Sequence, residues 1–315
     1  MDEKLDRWVD VVFLGFHNMD TFNIAVYILL LMIYIVTICG NLLIIVLVLW
    51  CKTLHSPMYF FLTQLSLMDI MLTTDIIPNM LNIALHEQTS ISFSSCITQF
   101  YFSCLSLASE CFLLTVMSYD RYLAICTPLH YATIMNHAVC CKSIFVSWLW
   151  SCCLVLILTL SICQLQFCGP NTIDHFLCDL NALVQLSCSD ASIVQVEGMI
   201  LSFHVIVLPF LVIVASYTCI VFTIKKIPSF SGRMKSFSTC SSHLTVVSIF
   251  YGTLISMYMF PDEGQSQIIN KILVMLYTVF TPLSNPFIYS LRNKDIKAAL
   301  RKAVNKIRVT ILILE

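Results

Sequence analysis

The sequence predicts an all-α membrane protein: a seven-transmembrane helix bundle followed by a short amphipathic C-terminal helix. Three observations lead there. Seven apolar stretches lie along the 315 residues, each near or above the roughly 20 residues that a helix needs to cross a bilayer. Hydrophobic residues make up 58% of the chain and charged residues 11%, against about 45–50% and about 25% in a soluble domain, so a monomer in water could not hide its apolar surface. Finally, Lys and Arg concentrate on one side of the implied membrane. A net charge of -1, with no Lys/Arg-rich groove, excludes a nucleic-acid partner.

Residues 1–23 carry Asp2, Glu3, Asp6, Asp10 and Asp20 and no short apolar core with a small-residue cleavage site. This is not the pattern of a secretory signal peptide, so the first span is expected to act as its own insertion signal. The seven stretches are 24–50, 58–85, 97–125, 143–163, 197–224, 236–260 and 269–291. Backbone groups in hydrocarbon must be satisfied within a helix or a closed barrel, and these stretches lack the alternation of barrel strands. With the N-terminus outside, only Lys4, Arg7 and Lys271 are exterior and the other fourteen Lys and Arg are interior. The positive-inside rule therefore sets N-out and C-in. The chain divides into an extracellular segment (1–23), a seven-span domain (24–291) and a cytoplasmic helix and tail (292–315). In that tail Ile296, Ala299, Leu300, Val304 and Ile307 recur at helical spacing among basic residues, which suits a helix lying on membrane lipid. The apolar 309–314 is assigned no element.

Of 16 cysteines, Cys96, Cys168, Cys178 and Cys188 fall outside, where four thiols allow three pairings. The last three belong to a loop, 164–196, long enough to form a lid over the outer end. His175 lies near Cys178 and Cys188, but the spacing fits no common zinc site.

Ionisable groups at membrane depth default to function. Asp69 lies 12 residues beyond Pro57 and Glu110 lies 11 before Arg121, which places both roughly 16–18 Å from the inner boundary at about 1.5 Å per residue. Two close carboxylates either share a proton or hold a cation. A sodium-type site with Asn41, Ser66 and Asn285 as further oxygen donors is the reading favoured, and no other cofactor is implied. Asp75, higher in the same span, is expected at the outer interface. Asp120, Arg121 and Tyr122 at the inner end of the third span read either as a snorkelling surface pair or as a switch.

The segment Met117-Ser118-Tyr119-Asp120-Arg121-Tyr122-Leu123-Ala124-Ile125-Cys126 resembles the signature of odorant receptors, a branch of the rhodopsin-like G-protein-coupled receptors. Gly40-Asn41, the run Leu54-His55-Ser56-Pro57-Met58-Tyr59-Phe60-Phe61-Leu62, and Lys235-Ser236-Phe237-Ser238-Thr239-Cys240-Ser241-Ser242-His243-Leu244 agree with it. So does Pro282-Leu283-Ser284-Asn285-Pro286-Phe287-Ile288-Tyr289-Ser290-Leu291-Arg292-Asn293. The resemblance implies disulfides Cys96–Cys178 and Cys168–Cys188. It also implies a G-protein-facing switch in which Arg121 takes Tyr217 and Tyr289 as active-state partners. The implied partners are a small volatile odorant and the heterotrimeric stimulatory olfactory G protein, which raises cyclic AMP, and the implied location is the plasma membrane of sensory cilia. The chain departs from most members in having no Asn-x-Ser/Thr sequon; Ser118 and Ser284 replace commoner Ala and Leu.

Alignment to the receptor fold implies an outer pocket. It takes Ser103, Cys104, Leu107 and Ala108 from the third span and Leu201, Ser202 and Val205 from the fifth. The sixth gives Tyr251, Leu254, Ile255 and Tyr258, the seventh Met275 and Thr278, and Leu180 closes the top. This set contains no acid or base, so a small, mostly neutral molecule is expected, held by burial worth roughly 25 cal/mol per Å² before ordering costs. A small transporter or channel is the alternative, opposed by the absence of repeats and of a polar stripe. An intramembrane enzyme lacks its constellation, since His204 and His243 stand at opposite ends of their spans without evident partners.

Overall fold

The computed structural model describes residues 10–14, 23–86, 88–168, 171–259 and 267–314. Its long helices are α1 (Asn23–Trp50), α2 (Pro57–His86), α3 (Phe93–Cys126), α4 (His137–Cys163), α5 (Ser192–Lys226) and α6 (Phe230–Met259). Then α7 runs through Gln267–Met275, Leu276–Phe280 and Thr281–Arg292, and α8 covers Lys294–Leu314. Local chemistry sets the starts. Pro57 opens α2, where its missing N–H costs nothing. Ser92 accepts the Ser95 N–H at 3.2 Å, and Asn136 accepts the Val139 N–H at 3.0 Å. The Asn136 cap starts α4 several residues ahead of the apolar run. Likewise α5 starts at Ser192, whose N–H is taken by Asp190 Oδ1 at 2.9 Å.

Among the described residues six helices are long and apolar enough to cross a membrane, and a shorter apolar stretch, Cys240–Ser256, lies inside α6, consistent with a bundle of seven. Ile24, Leu29, Trp50, Phe145, Trp150 and Phe222 are exposed on the outside of the bundle. Apolar surface on this scale is stable in lipid rather than water. The chain is a multi-pass membrane protein.

In the centre α3 touches α2, α4, α5 and α6, while α1 packs on α2 and α7. The α1–α7 contact depends on Gly40, where a Cβ would lie 3.1 Å from Pro286 Cβ and 3.3 Å from its Cγ. A leucine there has no space unless α7 moves, and overpacking costs about 1–3 kcal/mol or more. Gly40→Leu is expected to cut surface display severalfold by surface labelling; wild-type display would show that the two helices are not so constrained.

Wide turns interrupt two spans. In α5 the Leu208 N–H bonds Phe203 O, and in α7 the Thr281 N–H bonds Leu276 O, both five residues back. Each turn is followed by a proline, Pro209 or Pro282, which lacks the N–H for the ordinary ladder and crowds the carbonyl four residues earlier.

Within the N-terminal segment, residues 10–13 form a strand that the sequence did not reveal. β1 (Asp10–Phe13) is the middle strand of a three-stranded sheet at the disulfide-bearing end. It pairs antiparallel with β2 (Thr89–Ser92), Asp10 opposite Ser92, and parallel with β3 (Thr172–Ile173), Val12 opposite Thr172. Val11 and Phe13 are buried beneath it. Four residues give too little periodicity to reveal a strand whose partners lie tens of residues away.

At the other end, Asn293 Oδ1 caps α8 by accepting the Asp295 N–H at 2.9 Å and the Ile296 N–H at 3.2 Å. The Tyr59 hydroxyl of α2 donates to Asn293 Oδ1 and Asp295 Oδ2 at 3.0 and 2.9 Å. Ile296 and Ala299 are buried and Leu300 is partly so. The helix takes in the previously unassigned residues through Leu314.

Candidate functional site

At the disulfide-bearing end Cys96 is bonded to Cys178 and Cys168 to Cys188, with Cα–Cα distances of 5.6 and 5.9 Å. These bonds use the thiols nearest His175. Gln99 on α3 reinforces the first bridge: its Oε1 accepts the Cys178 N–H at 3.0 Å and its Nε2 donates to Asp75 O at 3.1 Å. Lys271 of α7 reaches Asp174 Oδ1 at 2.5 Å. Sheet, bridges and ion pair together draw the long loop over the bundle.

His175 is buried in this cap, and its Nδ1 accepts the Phe176 N–H at 3.0 Å. Burial first, then the Lys271 charge, push the imidazole down to about 4, against an opposing pull from Asp174. The folded value lies below the unfolded value of about 6.5. The neutral imidazole therefore favours folding fully above about pH 6.5, and this contribution is lost as pH falls toward 4. Hydrogen-exchange protection around residues 172–178 is expected to stay constant from pH 8 to 7 and to fall between pH 6 and 4. A flat profile would contradict a buried neutral histidine.

Below the cap, Ser103, Cys104 and Leu107 are part-buried on α3 and Ala108 is buried. Of the other residues implied for the pocket, Leu201 and Ser202 are part-buried, Val205 is buried at the wide turn of α5, Tyr251 and Leu254 are buried on α6, and on α7 Met275 is part-buried and Thr278 buried. Leu180 leans on α5 at Gly198, where a Cβ would lie 2.5 Å from Leu180 Cδ2. Tyr251 packs against Phe210 with ring centroids 4.9 Å apart and stands beside Cys111.

One expectation is overturned at Ile255. Ile255 is 44% exposed and lines an apolar groove of about 330 Å³ on the outside of α5 and α6, with Phe210, Val214, Leu244 and Gly252. Its place on the helix turns it toward lipid rather than the interior. The implied pocket set also has an acid against it: the Ser103 hydroxyl donates to Asp75 Oδ2 at 2.6 Å. Cys104 lies within reach of the charges of both Asp75 and Asp179. The surroundings of Ser103 are therefore not free of acids. The Tyr258 side chain lies outside the described residues.

At mid-bundle Asp69 and Glu110 are buried neighbours. Asn285 Nδ2 donates to both Asp69 oxygens at 3.1 Å and also faces Glu110. Ser66 is buried one turn before Asp69. Asn41 turns its amide to the backbone, donating to Thr37 O at 3.1 Å and Pro282 O at 3.2 Å. Asn41 Oδ1, Asn285 Oδ1 and Glu110 Oε1 are buried with no hydrogen-bond donor among the described residues. Buried acceptors left in this way are costly unless something positive meets them.

At the opposite end Arg121 is held by Asp120, and both are buried. This is not a snorkelling surface pair. Asp120 Oδ1 also accepts the Tyr131 hydroxyl at 2.8 Å. Tyr122 is part-buried and stacks on Tyr119. The Tyr217 hydroxyl and His243 Nδ1 lie 2.6 Å apart, with their rings stacked. This overturns the view of His243 as partnerless. The buried Tyr289 hydroxyl has no partner among the described residues. Tyr217, His243 and Tyr289 all lie near enough to feel the Arg121 charge, but neither tyrosine is bonded to it.

Sequence reasoning did not pair Asp75 with Ser103, His243 with Tyr217, Tyr131 with Asp120 or Lys271 with Asp174. The cost of an ionisable group inside a span was the available signal for the first two; their partners depend on helix rotation.

A comparison with known families matches residues 30–306 to the family described as Olfactory receptor. Among curated relatives, Olfactory receptor 11L1 of Homo sapiens is 47% identical over 293 residues, covering 93% of this chain and 91% of its own. Olfactory receptor 1J4 of Homo sapiens is 48% identical over 281 residues (89% and 90%). Olfactory receptor 1M1 of Mus musculus is 43% identical over 297 residues (94% and 95%).

Proposed function

The chain belongs to the olfactory receptor family, and from that premise we propose that it binds small, mostly neutral volatile molecules in the outer chamber and activates a stimulatory olfactory G protein. It is a G-protein-coupled receptor, not an enzyme. The single observation that carries the signalling reading is the closed arrangement at the basic end: Arg121 on buried Asp120, and Tyr217 turned away to His243. In the active state Arg121 leaves Asp120 for Tyr217 and Tyr289, and the inner ends of α5 and α6 part to admit the G protein. A ligand drives this only by binding the open state more tightly than the closed one. The N-terminus with residues 1–23 lies outside, 24–291 form the receptor domain, and 292–315 lie against the inner leaflet of the ciliary plasma membrane.

Ligand contacts fall to Ser103, Cys104, Leu107, Ala108, Leu180, Leu201, Ser202, Val205, Tyr251, Leu254, Met275 and Thr278. Tyr251, deepest of the α6 set, couples the chamber to the inner half. Tyr251→Phe is expected to lower agonist potency or maximal cyclic AMP about threefold or more; no change in either would remove it from this role. Asp69, Glu110 and Asn285, with Ser66 one turn before Asp69 and the buried Asn41 oxygen as further donors, would hold a sodium ion, which would supply the positive charge that the undonated oxygens lack and favour the closed state.

Cyclic AMP output tests the reading, in cells carrying the chain with the olfactory G protein and trafficking helpers, challenged with a panel of volatiles. A dose-dependent signal lost in Arg121→Ala supports it. Silence despite surface display, with basal output indifferent to Arg121→Ala, would return attention to a transporter or channel.

A further inference from the structure

We propose that the seam between α5 and α6 binds an anionic phospholipid, its acyl chain laid along the seam and its headgroup held by Lys225, Lys226 and Arg233 at the basic end. Two grooves lie in line on the outside of these helices. The first, of about 330 Å³, is floored by Tyr217 and Tyr251 and walled by Phe210 and Leu244. The second, of about 280 Å³, lies among Ile224, Phe230, Arg233, Met234 and Phe237. On α6 the residues Phe230, Met234, Phe237, Leu244, Ser248 and Ile255 follow one another at steps of three, four or seven, so one helix face carries both grooves. The seam exists because α5 packs chiefly on α3 and only sparsely on α6. Gly252 deepens it, since a Cβ there would meet nothing within 4 Å.

Charge and length select the occupant. Phe230, Met234 and Phe237 are 71%, 54% and 56% exposed, and apolar surface of this kind beside a bilayer is covered by acyl chains. Lys225, Lys226 and Arg233 are exposed next to them. None of the three is in an ion pair among the described residues, and the chain carries no Asp or Glu between Glu197 and Asp262. The two helices thus bring no acid of their own to this cluster, and the phosphate of an anionic lipid supplies the counter-charge. From Ile224 to Phe210 the seam follows fourteen residues of α5, roughly 21 Å at about 1.5 Å per residue. Half of a hydrocarbon core about 30 Å thick is shorter than that, so a chain entering beside the cations stays in the seam through its whole leaflet. A sterol would fill the apolar grooves but bring no charge to the cations. Because Tyr217 and Tyr251 floor the first groove, the seated chain touches two tyrosines that the proposed activation uses; that consequence rests on the receptor reading, and the binding itself does not.

The test uses the full chain in nanodiscs and three photoactivatable probes: phosphatidylserine and phosphatidylcholine with the same diazirine acyl chain, and a diazirine cholesterol. Adducts are mapped by peptide mass spectrometry, with the exposed face of α4 around Phe145 and Trp150 as the reference for ordinary surrounding lipid. The α5 and α6 peptides are expected to take up phosphatidylserine about fivefold or more above phosphatidylcholine, and α4 to take up both alike. The triple variant Lys225→Gln, Lys226→Gln, Arg233→Gln should bring the seam ratio down to that of α4. Gly252→Leu fills the notch without a clash and should cut phosphatidylserine labelling of the seam about threefold or more, with α4 unchanged. The proposal is overturned if phosphatidylserine labels the seam no better than phosphatidylcholine, if the triple variant keeps the preference, or if the sterol displaces phosphatidylserine. Cross-links between two copies at Phe230 or Phe237 in place of lipid adducts would overturn it as well. None of these outcomes touches the receptor reading, which is tested separately by the cyclic AMP response and its loss in Arg121→Ala.

Discussion

Replacing Cys96 by serine is expected to remove nearly all of the protein from the cell surface, with total expression falling less. The bridge to Cys178 closes a separation of 82 residues, and losing a native disulfide typically costs 2–5 kcal/mol, a large share of a marginal folding free energy. More than the bridge is involved. Cys178 sits beside the Gln99 contact, which in turn fixes the Asp75 carbonyl, and β3 of the same loop holds β1. The whole cap therefore shares one anchor. Cys188→Ser breaks a bridge spanning only 20 residues and should leave more receptor on the surface, because closing a shorter loop removes less entropy from the unfolded chain. Flow cytometry on unpermeabilised cells makes the comparison. Equal surface display of wild type and Cys96→Ser would show that the sheet and packing hold the cap without the bridge.

Opposite effects are expected from the two halves of the buried ion pair. Asp120→Asn leaves Arg121 buried without its counter-charge in the closed arrangement, and breaking such a pair costs about 3–5 kcal/mol. Since about 1.4 kcal/mol is tenfold in a population, basal cyclic AMP should rise tenfold or more if the open state is otherwise rarely occupied. Arg121→Ala instead removes the group that Tyr217 and Tyr289 would receive, so agonist-driven output should fall below about a tenth of wild type. Both results are normalised to surface amount. Unchanged basal output in Asp120→Asn, together with an intact response in Arg121→Ala, would mean that the pair is structural only. Tyr131→Phe, which removes the bond to Asp120 at 2.8 Å, should move basal output in the same direction as Asp120→Asn and by less.

Much of this was legible from residues alone because the controlling physics is local. A stretch of about 20 apolar residues has no stable home but hydrocarbon, and an intramembrane acid is costly wherever its helix lies. That marked Asp69, Glu110 and Asp75 before any contact was known, and the shared depth of the first two followed from rise per residue. Polar positions such as Asn136 and Asn293 carried the helix starts in their own side chains.

What the residues alone did not determine was rotation and remote pairing. In lipid, an inward and an outward side chain are both apolar, so periodicity loses the contrast that orients a helix in water. Ile255 and Leu254 are neighbours of the same chemical kind, yet one faces lipid and the other the interior. The same missing contrast hid Asp75 against Ser103 and His243 against Tyr217. Only the packed bundle fixes those angles, and only chain closure over its end brings Asp10–Phe13 between strands 76 or more residues away in sequence. Composition and the placement of charge are enough to set seven helices across the membrane and to mark the residues that are costly there. Which of those residues meet follows from packing, because a contact depends on the rotation and approach of two helices at once, and neither helix encodes both.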